Sequence, residues 1–173
     1  MSPSVTDTQR ELLRKHTIVA LDVDELEDAL ALAEKLTGWV DRVKIGSKMF
    51  TRYGPKVLDE LGRLGKQVFL DLKYHDIPSV VGKACAEAAQ HESVFLLTVH
   101  ASGGTKMIEA ALKGARSQSD GPSVVAVTAL TSLSPKNNKV DHIPTGMLKL
   151  SNLTYLNLDG NPFARFPDEI VSA

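Results

Sequence analysis

The chain has 173 residues, 43% of them hydrophobic, which suits one domain with a real core. Lys and Arg number 20 against 21 Asp and Glu, and the net charge of -1 argues against a nucleic-acid or anionic-membrane surface. The single cysteine, Cys85, rules out a disulfide framework within the chain and fits a reducing compartment.

Met1 to Lys15 is polar and lacks the apolar core of a signal peptide, and no later run approaches the ~18 apolar residues of a membrane helix. The expectation is a soluble cytoplasmic protein. Thr17 to Val23 reads as a strand, and Glu25 to Leu36 as a helix with Leu26, Ala29, Leu30, Ala33 and Leu36 along one face. Val40 to Ile45 is a second strand. Ser47 to Leu64 is helical with a break at Gly54-Pro55, where proline suits the first turn of a new helix, and Leu58, Leu61 and Leu64 carry its apolar face.

Gln67 to Leu72 is the third strand, Pro78 to Gln90 the third helix, Val94 to Val99 the fourth strand, Gly104 to Ala115 the fourth helix and Ser123 to Ala129 the fifth strand. Cys85 falls in an Ala-rich helical stretch, where it reads as a small buried side chain. Strand then helix, repeated at this spacing, predicts parallel strands with right-handed crossovers, in a barrel or in an open doubly wound sheet. Asp22, Lys44, Asp71, Lys73, His100 and Ser132 all fall at or just beyond the C-terminal ends of predicted strands. A (β/α)8 barrel keeps its chemistry there, whereas an open sheet gathers polar groups at one switch point, so the pattern favours a barrel.

The chemical centre of the sequence is Leu70-Asp71-Leu72-Lys73-Tyr74-His75-Asp76-Ile77-Pro78. Period-two alternation puts Asp71 and Lys73 on one face of the strand, while Asp76 follows in the turn closed by Pro78. A carboxylate and an ammonium on an inward face are costly to bury unless each compensates the other or a ligand uses them. Taken alone, D-x-K-x-x-D is either an ion pair at a strand end or a reaction site.

Asp71-Leu-Lys73-Tyr-His-Asp76-Ile-Pro78 resembles the signature of the orotidine 5'-monophosphate decarboxylase family. Four further segments are similar to that family's strands in the family's order: Ala20-Leu21-Asp22, Val43-Lys44-Ile45-Gly46, Val99-His100-Ala101-Ser102-Gly103-Gly104 and Val127-Thr128-Ala129-Leu130-Thr131-Ser132. The resemblance covers residues 14 to 134. It implies a (β/α)8 barrel that removes CO2 from orotidine 5'-monophosphate to give UMP, with no cofactor and no metal.

By the same resemblance Lys73 donates the proton to the carbon that loses its carboxylate, and Asp71 lies against that carboxylate. Lys44 and Asp76 complete an alternating charge array, Asp76 reaching the other subunit's site in a homodimer. Asp22 and Lys44 contact the ribose and Ser132 the pyrimidine, with Thr131 a further substrate-binding residue. Charge left on the ring carbon has no conjugated sink, so an ammonium already in place is what the reaction needs. His100 and His75 match the motifs too, and either can hydrogen-bond a neighbouring strand instead of touching substrate. Val80 stands where the family usually has a threonine.

The alternation runs out after the fifth strand, so the expected fold is a partial barrel, residues 1–134. The segments of strands six to eight that would hold phosphate are not among those matched, and the expectation is poor binding and turnover by this chain. Pro135-Lys-Asn-Asn-Lys-Val-Asp141 reads as a linker or junction. Within residues 142–173, Leu153-Thr-Tyr-Leu156-Asn-Leu158-Asp-Gly-Asn161 is similar to the leucine-rich-repeat core L-x-x-L-x-L-x-x-N. Ile143-Pro144 recurs as Phe166-Pro167, a period of 23 residues. In that resemblance Leu153, Leu156 and Leu158 point into a solenoid, though roughly three repeats are needed to bury a core.

A natural fusion, a misassembled gene and an engineered chimera are all compatible with the join. Three functions compete: the decarboxylase; a non-enzymatic protein that binds a partner through the repeat fragment; and a sugar-phosphate decarboxylase or epimerase with a similar D-x-K-x-x-D. Tyr74-His75 and Ile77-Pro78 favour the first.

Overall fold

The computed structural model describes residues 6–128 and the short strand Tyr155–Asn157. The expected linker at 135–141, Thr131, Ser132 and the rest of the leucine-rich segment lie outside the described residues. In chain order the elements are α1 (Asp7–His16), β1 (Ile18–Ala20), α2 (Leu26–Lys35), β2 (Arg42–Gly46), α3 (Ser47–Tyr53), α4 (Lys56–Arg63), β3 (Gln67–Tyr74), α5 (Pro78–Ala88), β4 (Val94–His100), α6 (Thr105–Ala115), β5 (Ser123–Val127) and β6 (Tyr155–Asn157). They fall into two compact units: residues up to 72 with 91–96, and residues 73–90 with those from 97 on.

In the first unit β1, β2 and β3 are neighbours and run parallel, with Ala20 opposite Lys44 and Gly46 opposite Asp71. One sheet face is sealed: Val43, Ile45, Val68 and Leu70 have no exposed surface. Each such side chain contributes about 1.5–3 kcal/mol on burial. Helix α2 supplies Leu26, Ala29 and Ala33 to this core, three members of the expected stripe, and α4 supplies Val57, Leu58 and Leu61. Leu30, Leu36 and Leu64, also expected on those faces, are half-buried. Gly54 ends α3 at φ +60, a left-handed conformation that glycine takes without a Cβ clash, and Pro55 then opens α4.

Helix α1 has no counterpart in the strand and helix alternation read from the sequence. Its signal is the capping box of Thr6 and Gln9, in which the Gln9 backbone N–H donates to Thr6 Oγ1 and the Thr6 N–H donates to Gln9 Oε1. None of its residues is buried. Strand β1 is shorter than the expected Thr17–Val23, because only Ile18–Ala20 pair with β2 in the ladder. Leu21 still donates its N–H to the Lys44 carbonyl at 3.0 Å.

In the second unit β5 and β6 pair in parallel, with Val125 opposite Tyr155 and Val127 opposite Asn157. Helices α5 and α6 pack backbone to backbone where a Cβ on Gly114 would lie 2.1 Å from the Gly82 carbonyl oxygen. A Cβ on Gly82 would meet the Ala110 carbonyl oxygen at 3.1 Å. Cys85 is fully buried on α5, as the sequence implied, and burial pushes its thiol up to about 12.

Two outcomes follow from this packing. Gly114→Ala should lower the urea midpoint, because parting the helices costs roughly 1–3 kcal/mol against a gain of about 1 kcal/mol in helix propensity; an unchanged or raised midpoint would contradict the close approach. Cys85 should resist maleimide in the folded chain at mildly alkaline pH and label fully in denaturant, whereas rapid labelling of the folded chain would show that α5 is not sealed.

Candidate functional site

The first unit contributes an ion pair at the strand ends. Lys44 lies on the β2 face opposite Val43 and Ile45, and its Nζ donates to Asp22 Oδ1 at 2.7 Å. Side-chain exposure is 18% for Lys44 and 67% for Asp22, so the ammonium is sheltered while the carboxylate meets solvent. Register explains the meeting. Ala20 sits beside Lys44, and two residues later Asp22 comes over the β2 side chain. Gly46 keeps the space beside the pair open: a Cβ there would stand 3.7 Å from Lys44 Nζ and 3.9 Å from Asp22 Oδ1.

The loop that carries Asp22 is tied down at its far end. Lys48 bonds Asp24, Arg52 pairs with Glu25 at 2.7 Å, and Tyr53 donates its hydroxyl to Glu25 at 2.8 Å. The Tyr53 bond, then the Arg52 bond, hold the Glu25 carboxyl below its ordinary range, and Lys48 does the same for Asp24. Each pair is exposed and adds little stability alone. Together they tether the loop to α3 by side chains from one helix. Asp71 stands on β3 opposite Gly46, half-buried, on the strand face away from Val68 and Leu70.

The second unit contributes Lys73 and two histidines. Alternation along β3 predicted an ordinary extended residue at Lys73, but its φ is +51, the one non-glycine residue with positive φ among the described residues. Such a backbone costs an L-residue roughly 1–2 kcal/mol. Residues in that region persist where the surroundings over-determine them, and they cluster at functional sites. The Lys73 N–H donates to Thr98 Oγ1 at 2.9 Å, and Thr98, on β4, is 1% exposed. Thr98 was not legible as a site residue, because a threonine among Val94, Phe95, Leu96 and Leu97 reads as strand core.

His75 and His100 stack with ring centroids 4.9 Å apart and planes at 17°. His100 Nδ1 lies 2.6 Å from Ser102 Oγ and accepts from the Ser102 N–H at 3.4 Å, capping the short turn Ala101–Gly103. The sequence left open a bond to a neighbouring strand; the partner is instead the turn that follows His100 itself. Burial first, then His75 and Lys73, holds His100 below its ordinary value. Gly103 leaves room for the end of the Met107 side chain, since a Cβ would meet Met107 Sδ at 2.1 Å and His75 Cδ2 at 3.3 Å. Burial also pushes the Tyr74 phenol up to about 12, so it stays protonated at neutral pH.

Asp76 lies beyond β3, exposed, with Oδ1 accepting from the Ile77 N–H at 2.6 Å. The structure therefore brings Asp22 and Lys44 together and sets Asp71 on the same ladder, within one unit. It places Lys73 beside Thr98 in the other. Thr131 and Ser132 lie outside the described residues. Among the described residues no group of three or more His, Cys, Asp or Glu is placed to hold a metal ion.

A family model described as "Orotidine 5'-phosphate decarboxylase / HUMPS family" matches residues 15–144, past residue 134 where the resemblance was expected to stop. A protein of Chromohalobacter salexigens named orotidine 5'-phosphate decarboxylase is 49% identical over 116 residues, covering 67% of this chain and 49% of that protein. The crystal structure of orotidine 5'-phosphate decarboxylase from Lactobacillus acidophilus superposes with a TM-score of 0.63 at 34% identity, over 79% of this chain and 65% of that one. The enzyme structure from Methanocaldococcus jannaschii gives 0.60 at 26% identity, over 66% and 54%. The chain spans about half the length of the curated relatives it matches. Its parallel strands alternating with helices are the expected part of a (β/α)8 barrel, and the chain belongs to the orotidine 5'-phosphate decarboxylase / HUMPS family.

Proposed function

We propose that this chain carries the charged part of a decarboxylation site that takes orotidine 5'-monophosphate to UMP and CO2. The observation that carries the reading is the Asp71-Leu-Lys73-Tyr-His-Asp76-Ile-Pro78 run on and after β3, in a chain whose half-buried Lys44 already pairs with the exposed Asp22 at 2.7 Å. Lys73 is the proton donor to the ring carbon, and Asp71 faces the departing carboxylate. Lys44 and Asp76 alternate charge with them. Asp22 and Lys44 contact the ribose and Ser132 the pyrimidine, and Thr131 also binds substrate. An ammonium fixed in advance stabilises the ring carbanion without reorganisation, so the protein and not a cofactor supplies the electrostatics.

The working form is a homodimer in which Asp76 serves the neighbouring site. What supports this is a run of exposed residues, His75 to Val80, in which the apolar Ile77 and Val80 are 62% and 46% exposed. A cytoplasmic location is supported by the lone buried Cys85 and by the absence, among the described residues, of a helix long and apolar enough to cross a membrane. For residues 142–173 we keep the leucine-rich-repeat-like reading and a protein partner. Its support is the L-x-x-L-x-L-x-x-N run from Leu153 to Asn161 alone, since the strand Tyr155–Asn157 pairs with β5.

Loss of orotidine 5'-monophosphate, followed by ultraviolet absorbance, tests the reading. Turnover by the chain should be slow, be inhibited by UMP and not by a sugar phosphate, and fall at least ~100-fold in Lys73→Ala. A Lys73→Ala variant that keeps most of the rate, or inhibition by the sugar phosphate alone, would contradict it.

A further inference from the structure

We propose that Thr98 is a positioning residue for Lys73, its hydroxyl fixing the left-handed backbone from which the lysine side chain departs. The inference rests on the reading of Lys73 as proton donor. A residue ending a parallel strand ordinarily gives its N–H to a main-chain carbonyl of the next strand. Lys73, at φ +51, gives its N–H to Thr98 Oγ1 at 2.9 Å. The acceptor is well fixed. Thr98 is 1% exposed, its flanking residues Leu97 and Val99 are fully buried, and a β-branched side chain has little χ1 freedom.

Lysine has no intrinsic preference for this conformation, unlike glycine or asparagine, so the surroundings must impose it. The Thr98 hydroxyl is placed to do so from β4, which lets a residue on the neighbouring strand decide where an ammonium stands. Small misplacements of a catalytic group cost large factors in rate. Thr98 therefore acts on the chemical step through Lys73, and its removal should lower kcat with little change in KM.

The test compares Thr98→Val, which keeps the shape and removes the hydroxyl, with Thr98→Ser, which keeps the hydroxyl. In the full chain, isotope-labelled, the backbone carbon shifts of Lys73 report the sign of φ. They should leave the left-handed range in Thr98→Val and remain there in Thr98→Ser. Decarboxylation should fall about tenfold in kcat for the valine variant, and serine should restore it. A valine variant that keeps both the left-handed shifts and the rate overturns the inference, as does a serine variant that loses both.

Lys73→Ala separates the two claims: if it retains the rate, the proton-donor reading fails, whereas if it is inactive and Thr98→Val is unaffected, the Thr98 inference fails alone. Should the parent chain turn over too slowly to follow, the Lys73 shifts in the two Thr98 variants decide. Should the valine variant not fold, the serine variant still overturns the idea by losing the left-handed shifts.

Discussion

Side chains on a strand alternate between faces, so the pairing register of β1, β2 and β3 decides which residues are sealed under helices and which face the open side. Sliding β2 by one residue would carry Lys44 and Arg42 into the space filled by Val43 and Ile45, both fully buried. Burying an unpaired ammonium there costs far more than the displaced apolar side chains contribute. The core thus locks the register, and the register sets Ala20 beside Lys44 and Gly46 beside Asp71. The Asp22–Lys44 pair depends on that lock more than it supports it, because its carboxylate is exposed and such pairs contribute little stability.

The other half of the charged run obeys a different constraint. At Lys73 the strand geometry gives way to a left-handed backbone, while the strand itself continues to Tyr74. A parallel ladder alone would leave this lysine extended. Its conformation is held by a hydroxyl from the neighbouring strand, in a unit that also stacks His75 on His100. Stability is spent locally to hold one side chain, while the α5–α6 contact gives the same unit a rigid background.

Much of this was legible in the sequence, and the reasons differ by element. Apolar runs of four to eight residues between helical stripes placed β2, β3, β4 and β5, and Gly54-Pro55 marked the boundary between α3 and α4. Helix α1 was missed because its interior offers only Leu12 and Leu13 as apolar residues, both exposed, although Thr6 and Gln9 announce its start. Asp22 and Lys44 were each singled out, but their pairing was not, since it depends on register across two strands. The Thr98 contact was hidden for a deeper reason: nothing in a lysine codes for positive φ, and a buried threonine looks like any other strand residue.

In the proposed site the nucleotide meets the strand ends that carry Asp22, Lys44 and Asp71. The most direct measurement is a nitrogen–proton correlation spectrum of the full chain titrated with UMP. The amides of Asp22, Gly46 and Asp71 should shift together along one binding curve. Shifts confined to the hollow lined by Arg10, Arg14 and Asp41 beside α1, or no saturable shift at the strand ends, would contradict it.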